Sequence, residues 1–441
     1  MSAVPPTKRP MPLTAAIGLA LLAAPPLEGD DWPIWLGPTR DGISRETGWR
    51  KDWPAEGPPR LFDKSIGEGY SAVAVSRGRL LLFHRVRDEE RLESLDPLTG
   101  KEGWKAGSPT DYVDQYGYNN GPRAAPVVDP GSASGPGCVY TISAKGLLQC
   151  LELSSGRKLW SHDIEGEFKV ERFFFGVGPA PLIDGNLVVV NLGGADMGTG
   201  TTFAFDKLDG RLAWKTATDG GSYAVVQPAE IDGARHLFVF HRGGLSCLDP
   251  QGGRERWKFP WHSRLYESVN AATPLVIGDI VFFSASYRTG GVSLRVRKDS
   301  HEVLWKDDLE SREKILDTHW STATHVDGHL YGFGGRHEGE AQLTCVELKT
   351  GRVLWRWASE LGRGSAIYAD GHFIALGERG DLALLKLSPK GHEEVKKLPR
   401  VLSYPAWTPP VLANGVLYLR DEKRLIAFDL RPRVTVSPPE K

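Results

Sequence analysis

Apolar and polar positions repeat along this chain in one short pattern. Each copy has an apolar run, a tight turn, and a second apolar run that ends in a large side chain four positions after the turn residue. The copy LTCVELKTGRVLWRW, at residues 343–357, shows the pattern in full. Two such runs around a tight turn indicate a β-hairpin. Six copies end in tryptophan, at Trp104, Trp160, Trp214, Trp257, Trp305 and Trp355, and a weaker copy ends in Val395.

A second repeated phrase precedes each hairpin. It has a small or aromatic residue, then Ser, Ala or Thr, then Pro and an apolar strand closed by a turn, as in GPAPLIDGNLVVV. Successive hairpin ends lie 40 to 56 residues apart, a period typical of propellers and solenoids. Helical repeats are excluded because the apolar runs are short and broken by Asp-Gly or Thr-Gly turns. The phrase gives eight equivalent positions, Tyr70, Arg123, Gly178, Tyr223, Ala271, Trp320, Gly364 and Trp407.

Eight strand starts precede only seven hairpin ends, and the front of the chain supplies the missing end. Residues 59–67 read as a lone outer strand with Phe62 in the tryptophan position. A ring of blades protects its sheet edges only when it closes. We therefore predict an all-β, eight-bladed β-propeller with four-stranded antiparallel blades, in which an N-terminal strand completes the C-terminal blade.

The pattern also sets expected boundaries. Residues 1–24 are predicted to be a signal peptide, 25–58 a lead-in segment, 59–431 the propeller and 432–441 a tail. The lead-in lies before the closing strand, so deletion up to residue 52 is expected to leave a soluble ring.

The aromatic residues divide into two groups by position. Those at the constant hairpin position are predicted to dock each blade against the next, because buried aromatic rings dominate packing energy. This docking group is Phe62, Trp104, Trp160, Trp214, Trp257, Trp305 and Trp355. Trp320 and Trp407 instead begin inner strands, where side chains face the mouth of the channel.

A candidate ligand site follows at that mouth. The side chains expected there are Tyr70, Arg123, Tyr223, Asn270, His319, Trp320 and Trp407, together with the loop 111–120. Aromatic rings, an arginine and amides could stack a planar or saccharide ligand and orient it by hydrogen bonds. The alternative is that these groups fill a channel that takes no ligand.

Composition and charge argue against nucleic-acid binding, and the N-terminal residues indicate secretion. Hydrophobic residues make up 40% of the chain and charged residues 25%, ordinary globular values, and a net charge of −1 gives no basic footprint for nucleic acid. Lys8 and Arg9 precede an apolar run at 13–24 that suits a secretory signal and is too short to span a bilayer. We expect a periplasmic or extracellular monomer with no transmembrane segment after signal removal; an uncleaved anchor is the alternative.

Reactive and metal-binding groups give weak signals. His325 and His329 flank an Asp-Gly turn that points them apart, so no metal site is predicted, and no catalytic group is assigned. Cys150, Cys247 and Cys345 occupy equivalent positions of different blades and are expected to be free thiols, while Cys138 has no obvious partner.

The hairpin phrases LDPLTGKEGW, ELKTGRVLW and DKLDGRLAW resemble the pyrroloquinoline-quinone (PQQ)-like β-propeller repeat over about residues 60–430. The segment DWPIWLGPTRDGISRETGW is similar to the lead-in of bacterial secreted PQQ-binding-like propeller proteins. The resemblance implies two kinds of function. Quinoprotein dehydrogenases hold PQQ and calcium in the central funnel, whereas the barrel-assembly lipoprotein of the outer membrane binds a partner protein and no cofactor.

This chain differs from both the quinoprotein dehydrogenases and the barrel-assembly lipoprotein. It has no vicinal cysteine pair, no CxxCH and no acidic cluster at the inner-strand starts, and it has no lipidated cysteine after its apolar run. The leading hypothesis is a non-catalytic scaffold that binds a protein or glycan through its loops and funnel. The alternative is a PQQ-dependent alcohol or sugar dehydrogenase in which Arg123 and Asn270 orient the quinone carboxylates and Trp320 or Trp407 stacks on its ring.

Overall fold

Each predicted hairpin forms two neighbouring strands of an antiparallel blade, and the computed structural model contains eight blades, to one of which a fifth, short strand is added. The structure describes residues 1, 29–131 and 136–432. The predicted eight-bladed all-β propeller is therefore confirmed. Apart from Met1, the predicted signal segment at 1–24 lies outside the described residues.

The first four blades follow the repeats in chain order. Blade 1 contains Ala74–Ser76, Arg79–Val86, Glu89–Leu95 and Glu102–Pro109, and blade 2 contains Val127–Asp129, Cys138–Ile142, Leu147–Glu152 and Lys158–Asp163. Blade 3 contains Leu182–Asp184, Leu187–Leu192, Gly200–Asp206 and Leu212–Thr218, and blade 4 contains Gln227–Ile231, Ala234–His241, Gly244–Leu248 and Glu255–Pro260.

The remaining blades have the same order. Blade 5 contains Leu275–Ile277, Ile280–Ala285, Gly290–Val296 and His301–Lys306, and blade 6 contains Thr324–Val326, His329–Gly334, Gln342–Glu347 and Val353–Trp357. Blade 7 contains Gly364–Ala369, His372–Gly377, Leu382–Ser388 and Gly391–Leu398, and blade 8 contains Val411–Ala413, Val416–Arg420, Arg424–Asp429 and Arg60–Ser65.

Helix is sparse in the part of the chain that the structure describes. It consists of one α-helical turn, Ile164–Phe168, and one 3-10 turn, Glu338–Glu340. Within the same residues, no helix has the length and apolar character needed to cross a bilayer.

The tryptophans at the hairpin ends lie between consecutive blades. The indole of Trp104 covers Gly156 in the hairpin turn of blade 2, and its Nε1 donates a hydrogen bond of 3.2 Å to the carbonyl of Leu153. Gly156 has a φ of 73°, which other residues rarely adopt, and a Cβ there would meet the Trp104 ring at 2.4 Å. The turn therefore needs glycine both for its backbone and for the ring above it.

The indole hydrogen bond recurs around the ring. The indoles of Trp160, Trp214, Trp305 and Trp355 donate to the carbonyls of Lys207, Pro250, Leu348 and Ser388, respectively. Trp257 departs from this pattern because the next hairpin carries His301 where the other turns have glycine. Its ring lies 4.5 Å from the His301 ring, and its Nε1 has no hydrogen-bond partner among the described residues.

The ring closes through its N-terminal strand, as predicted. Arg60–Ser65 pairs antiparallel with Arg424–Asp429 and becomes the outer strand of blade 8. Phe62 lies opposite Ala427, the register that the hairpin tryptophans adopt in the other blades. The eighth blade is thus built from both ends of the propeller.

The closing contact repeats the tryptophan arrangement with different atoms. The Phe62 ring covers Gly100, in the hairpin turn of blade 1. Because phenylalanine has no N–H, the hydroxyl of Tyr418 donates instead to the carbonyl of Pro97 at 2.9 Å. The joint between blades 8 and 1 therefore keeps both the ring contact and the hydrogen bond.

The lead-in, which the sequence places only before the closing strand, packs against the ring. Trp32, Trp49 and Trp53 are buried in one apolar cluster with core residues of blades 1, 7 and 8. Ile43–Ser44 adds a short parallel strand to blade 7, and the carboxylate of Glu46 accepts a hydrogen bond of 2.8 Å from the backbone of Gly415. The lead-in carries no copy of the repeat, so periodicity could not place it.

The four cysteines are free thiols in the structure. Cys138, for which the sequence offered no partner, lies beside Cys150 of the adjacent strand. A hydrogen bond from the Cys150 thiol lowers the pKa of Cys138 below its usual range.

The indole hydrogen bond gives a test of blade docking. We expect Trp305→Phe to lower the free energy of unfolding by about 1 to 2 kcal/mol more than Trp257→Phe, because only the first change removes a hydrogen bond. Chemical denaturation of the two variants measures the difference. Equal losses would show that the indole N–H contributes nothing between blades.

Truncation tests the role of the lead-in. Deletion up to residue 52 should lower the melting temperature and the soluble fraction, because it uncovers the apolar faces that Trp32 and Trp49 cover. Deletion up to residue 67 should be more damaging, because it also removes the closing strand and exposes a sheet edge. A melting temperature unchanged by the shorter deletion would contradict the packing described for the lead-in.

Candidate functional site

The residues that precede the inner strands converge on one central cavity of about 390 Å³. Seven of the eight positions aligned from the sequence line this cavity; in blade 7 the lining residue is Arg363, one position before Gly364. We call this cavity the aromatic funnel. Its aromatic lining residues are Trp35, Tyr70, Tyr118, Phe175, Tyr223, Tyr287, Trp320, Tyr404 and Trp407.

Trp407 is at the centre of the aromatic contacts. Its ring lies 5.3 Å from Tyr70, 5.4 Å from Trp320 and 5.9 Å from Tyr118, measured between ring centroids. Such offset and tilted arrangements are favourable for aromatic pairs. These rings reach the funnel from blades 1, 6 and 8 and from the loop 111–120, so four segments share one aromatic wall.

Arg123 lines the funnel, but its charge is already paired. Its Nη2 lies 2.5 Å from the buried carboxylate of Asp114 and also donates to the carbonyl of Asn119. The guanidinium lies 5.8 Å from the ring centre of Tyr70. A buried arginine held by a carboxylate in this way positions the loop 111–120 more than it offers a free charge.

The side chain of Tyr70 is held by a hydrogen bond to Glu422. Its hydroxyl donates to Glu422 at 2.7 Å, and the amide of Asn119 donates to the same oxygen. Burial, with the adjacent Glu422 carboxylate, raises the pKa of Tyr70 far above its usual range.

Asn270 is the one predicted residue that does not line the funnel. It is buried behind the wall, where its side-chain Nδ2 donates to the carbonyl of His241 at 2.7 Å. The backbone carbonyl of Asn270 accepts a hydrogen bond from the backbone N–H of Tyr223. The Tyr223 hydroxyl in turn accepts from the backbone N–H of Phe175 at 2.6 Å. Asn270 therefore supports Tyr223 from behind.

His319 and Trp320 form the wall of blade 6. Burial, with the positive charges of Arg363 and Arg336, lowers the pKa of His319 to about 3. Its Nε2 lies 3.0 Å from the hydroxyl of Tyr287. The guanidinium of Arg363 lies 4.6 Å from the Trp320 ring centre, within range of a cation–π contact.

Some hydrogen-bonding capacity in this wall is unused. The Nε1 atoms of Trp320 and Trp407 and the Nδ1 of His319 have no partner among the described residues. Arg363, in contrast, is paired with the buried carboxylate of Glu378 at 2.7 Å. Buried polar atoms are normally hydrogen-bonded, so these three nitrogens are candidates for contact with a polar ligand.

Several funnel residues were not predicted from the sequence. Trp35 comes from the lead-in, and its Nε1 donates to Thr273 at 3.1 Å. Phe175, Tyr287 and Tyr404 come from loops that carry no copy of the repeat. The aromatic run at 173–175 and the WPIW of the lead-in were the available signals.

The lead-in closes the far end of the channel. The backbone of Pro33 accepts a hydrogen bond from Val128 in blade 2, and that of Gly42 accepts one from Tyr368 in blade 7. Ile34 packs among inner-strand residues of blades 1 to 4. Because the inner strands run from the funnel towards these contacts, residues 32–44 form a plug beneath the funnel.

The donor groups around the funnel do not fit a quinone held with calcium. Calcium takes six to eight oxygen ligands, usually with several carboxylates. Across residues 29–131 and 136–432, no group of three or more His, Cys, Asp or Glu side chains is arranged to hold a metal ion. The acids that contact lining residues through Arg123, Tyr70 and Arg363 are Asp114, Glu422 and Glu378, and all three are already hydrogen-bonded there.

The fold and funnel define a β-propeller of the PQQ-like class. The family model described as "Outer membrane protein assembly factor BamB" matches residues 88–357, more than half of the chain, and the chain belongs to that family.

Relatives span different activities. The outer membrane protein assembly factor BamB of Yersinia pestis is 22% identical over 304 residues, covering 64% of this chain and 69% of the relative. The tetrathionate hydrolase of Acidithiobacillus ferrooxidans is 23% identical over 385 residues, covering 78% of this chain and 71% of the relative. The quinohemoprotein alcohol dehydrogenase from Comamonas testosteroni superposes with a TM-score of 0.61 at 12% identity, covering 93% of this chain and 82% of that chain. The last likeness shows the fold alone.

The depressed pKa of His319 predicts a pH effect on stability. Its folded-state pKa of about 3 lies below the ordinary value of 6.5, so the unfolded chain binds more protons between these limits. The free energy of unfolding therefore has its full value, as far as His319 is concerned, above about pH 6.5. It decreases as the pH falls below that value, by at most about 1.4 kcal/mol per pH unit. Compared with wild type, His319→Gln should lose less stability between about pH 7 and pH 5 in urea titrations. Parallel losses in both proteins would contradict the assignment.

Proposed function

We propose that this protein is a periplasmic or extracellular binding scaffold that holds part of a glycan or protein partner in the aromatic funnel. The observation that carries the proposal is the convergence of aromatic side chains from several blades on one cavity. A cavity of about 390 Å³ is within the range of ligand sites. Its walls combine apolar rings with a few polar atoms, as ligand sites usually do.

The rim of the funnel supports docking of a larger partner. Tyr118 and Tyr404, which line the funnel, are exposed, and so are Tyr116 and Tyr266 nearby. Tyr116 contacts Phe175 at 5.3 Å, and Phe174 contacts Tyr266 at 5.7 Å, so the exposed rings continue the funnel wall. Tyrosine is enriched in binding surfaces because it presents a large apolar ring and a polar tip.

The pairing of the nearby charges favours binding over catalysis. Arg123 is held by Asp114 and Arg363 by Glu378, so both arginines already have carboxylate partners. Relatives named as outer membrane protein assembly factors support a role for this chain in binding a protein partner. The location follows from the predicted signal segment at 1–24.

The test is a binding screen with paired variants. Immobilised glycans and a peptide library are probed with wild type, Trp407→Ala and Trp355→Phe, the last a change at the outer edge of blade 6. Trp407→Ala should weaken the bound class by at least about 2 kcal/mol, as expected for a central aromatic anchor. Trp355→Phe should retain wild-type affinity. Equal binding by all three proteins would place the partner site away from the funnel.

Enzymatic activity is tested on the same protein. Purified protein is incubated with PQQ and Ca²⁺ and assayed for dye reduction with a panel of alcohols and sugars. We expect no reduction above the protein-free control. Activity that disappears in Trp407→Ala would favour the dehydrogenase alternative instead.

A further inference from the structure

A second cavity of about 690 Å³ lies beside the aromatic funnel and shares Tyr287 and His337 with it. Its walls come from blades 5 and 6 and the loops that follow their strands. We call it the arginine pocket, after its basic lining residues Arg288, Arg312, Lys314, Arg336 and Arg356. The acidic residues of its lining are Glu313, Asp317 and Glu340.

The arginines of this pocket are not paired with acids. In the part of the chain that the structure describes, Arg288, Arg312 and Arg336 have no carboxylate oxygen within 4.0 Å. This contrasts with Arg123 and Arg363 in the funnel, each of which has a carboxylate partner. Five basic side chains against three acidic ones leave the pocket with a net positive charge.

Backbone and ring contacts hold the basic groups in place. Lys314 is buried, and its Nζ donates to the carbonyl of Asp308 at 2.6 Å. Arg356 donates to the carbonyl of Lys314 at 2.6 Å. The Arg336 guanidinium lies 4.6 Å from the ring centre of Tyr287, on the wall that the two cavities share. In the described part of the chain, carbonyls and a ring hold these three groups, and no carboxylate oxygen lies within 4.0 Å of them.

The backbone at the shared wall is also unusual. Tyr287 and Arg288 have φ values of 60° and 62°, so two consecutive non-glycine residues adopt the left-handed conformation. Such a conformation costs about 1 to 3 kcal/mol per residue in strained cases, and strained residues cluster at ligand sites. Here it joins a funnel residue directly to a residue of the arginine pocket.

We propose that the arginine pocket binds the carboxylate or sulfate group of an acidic oligosaccharide whose neighbouring sugar ring lies in the aromatic funnel. Unpaired guanidinium groups are suited to oxyanions because their N–H groups form a planar fork. Peptides are usually bound along a strand edge or a long groove, whereas these are two adjoining compact cavities of ligand size. The sugar part of this inference rests on the proposed function of the funnel, and the anion part does not.

The test compares two double variants that remove the same charge. Arg288→Gln/Arg312→Gln changes two exposed arginines of the pocket, and Arg211→Gln/Arg254→Gln changes two exposed arginines in hairpin turns of blades 3 and 4. Calorimetry measures binding of trigalacturonate, maltotriose, hexaglutamate and inorganic sulfate to the full chain. We expect trigalacturonate to bind about a hundredfold more weakly to the pocket variant, about tenfold per lost charged contact, and within about twofold of wild type to the control.

The outcomes separate the two proposals. Equal affinity of both double variants for trigalacturonate and for sulfate would overturn the arginine pocket, whatever happens to maltotriose. Tight binding of hexaglutamate without trigalacturonate would overturn the saccharide in favour of an acidic peptide. Sulfate binding that is lost only in the pocket variant, with no saccharide bound by wild type, would support the anion site and contradict the saccharide in the funnel, leaving a protein partner as the proposed function.

Discussion

The structure depends on the contact between the aromatic residue at the end of one blade and the hairpin turn of the next. A blade alone leaves sheet faces and edges uncovered, and it is stable only when its neighbours cover them. In four of the eight joints an indole ring covers a turn glycine and its N–H donates to a nearby carbonyl. Each joint therefore fixes both the spacing and the angle between two blades. In the joint between blades 8 and 1, Phe62 covers the turn glycine and the Tyr418 hydroxyl donates the hydrogen bond.

The sequence predicted those parts of the structure that are repeated. Blade number and the closing strand followed from counting strand starts and hairpin ends, and Tyr70, Trp320 and Trp407 followed from their shared position in the phrase. Trp35 and Tyr287 could not be found in this way, because both lie in segments with no repeated counterpart. Asn270 was predicted to line the funnel but lies behind its wall, because alignment of the repeats gives the position of a residue along the chain and not the direction of its side chain.

Charge pairing distinguishes the two cavities. In the aromatic funnel the arginines are neutralised by buried acids and serve to hold loops in place. In the arginine pocket the guanidinium groups contact carbonyls, a ring or solvent, and their charge remains available. Propellers with the same blades can thus carry different sites, because the loops and not the repeats decide which charges are paired.

The plug formed by residues 32–44 gives the channel a dead end. A molecule that enters the funnel must leave by the way it came, and the water it displaces must escape past it. With residues 32–44 in this position, a molecule cannot pass through the ring from one face to the other. If the proposed partner is a polymer, the depth of the funnel limits how much of it can enter, so an end or a side branch would bind there and the polymer would not pass through the ring.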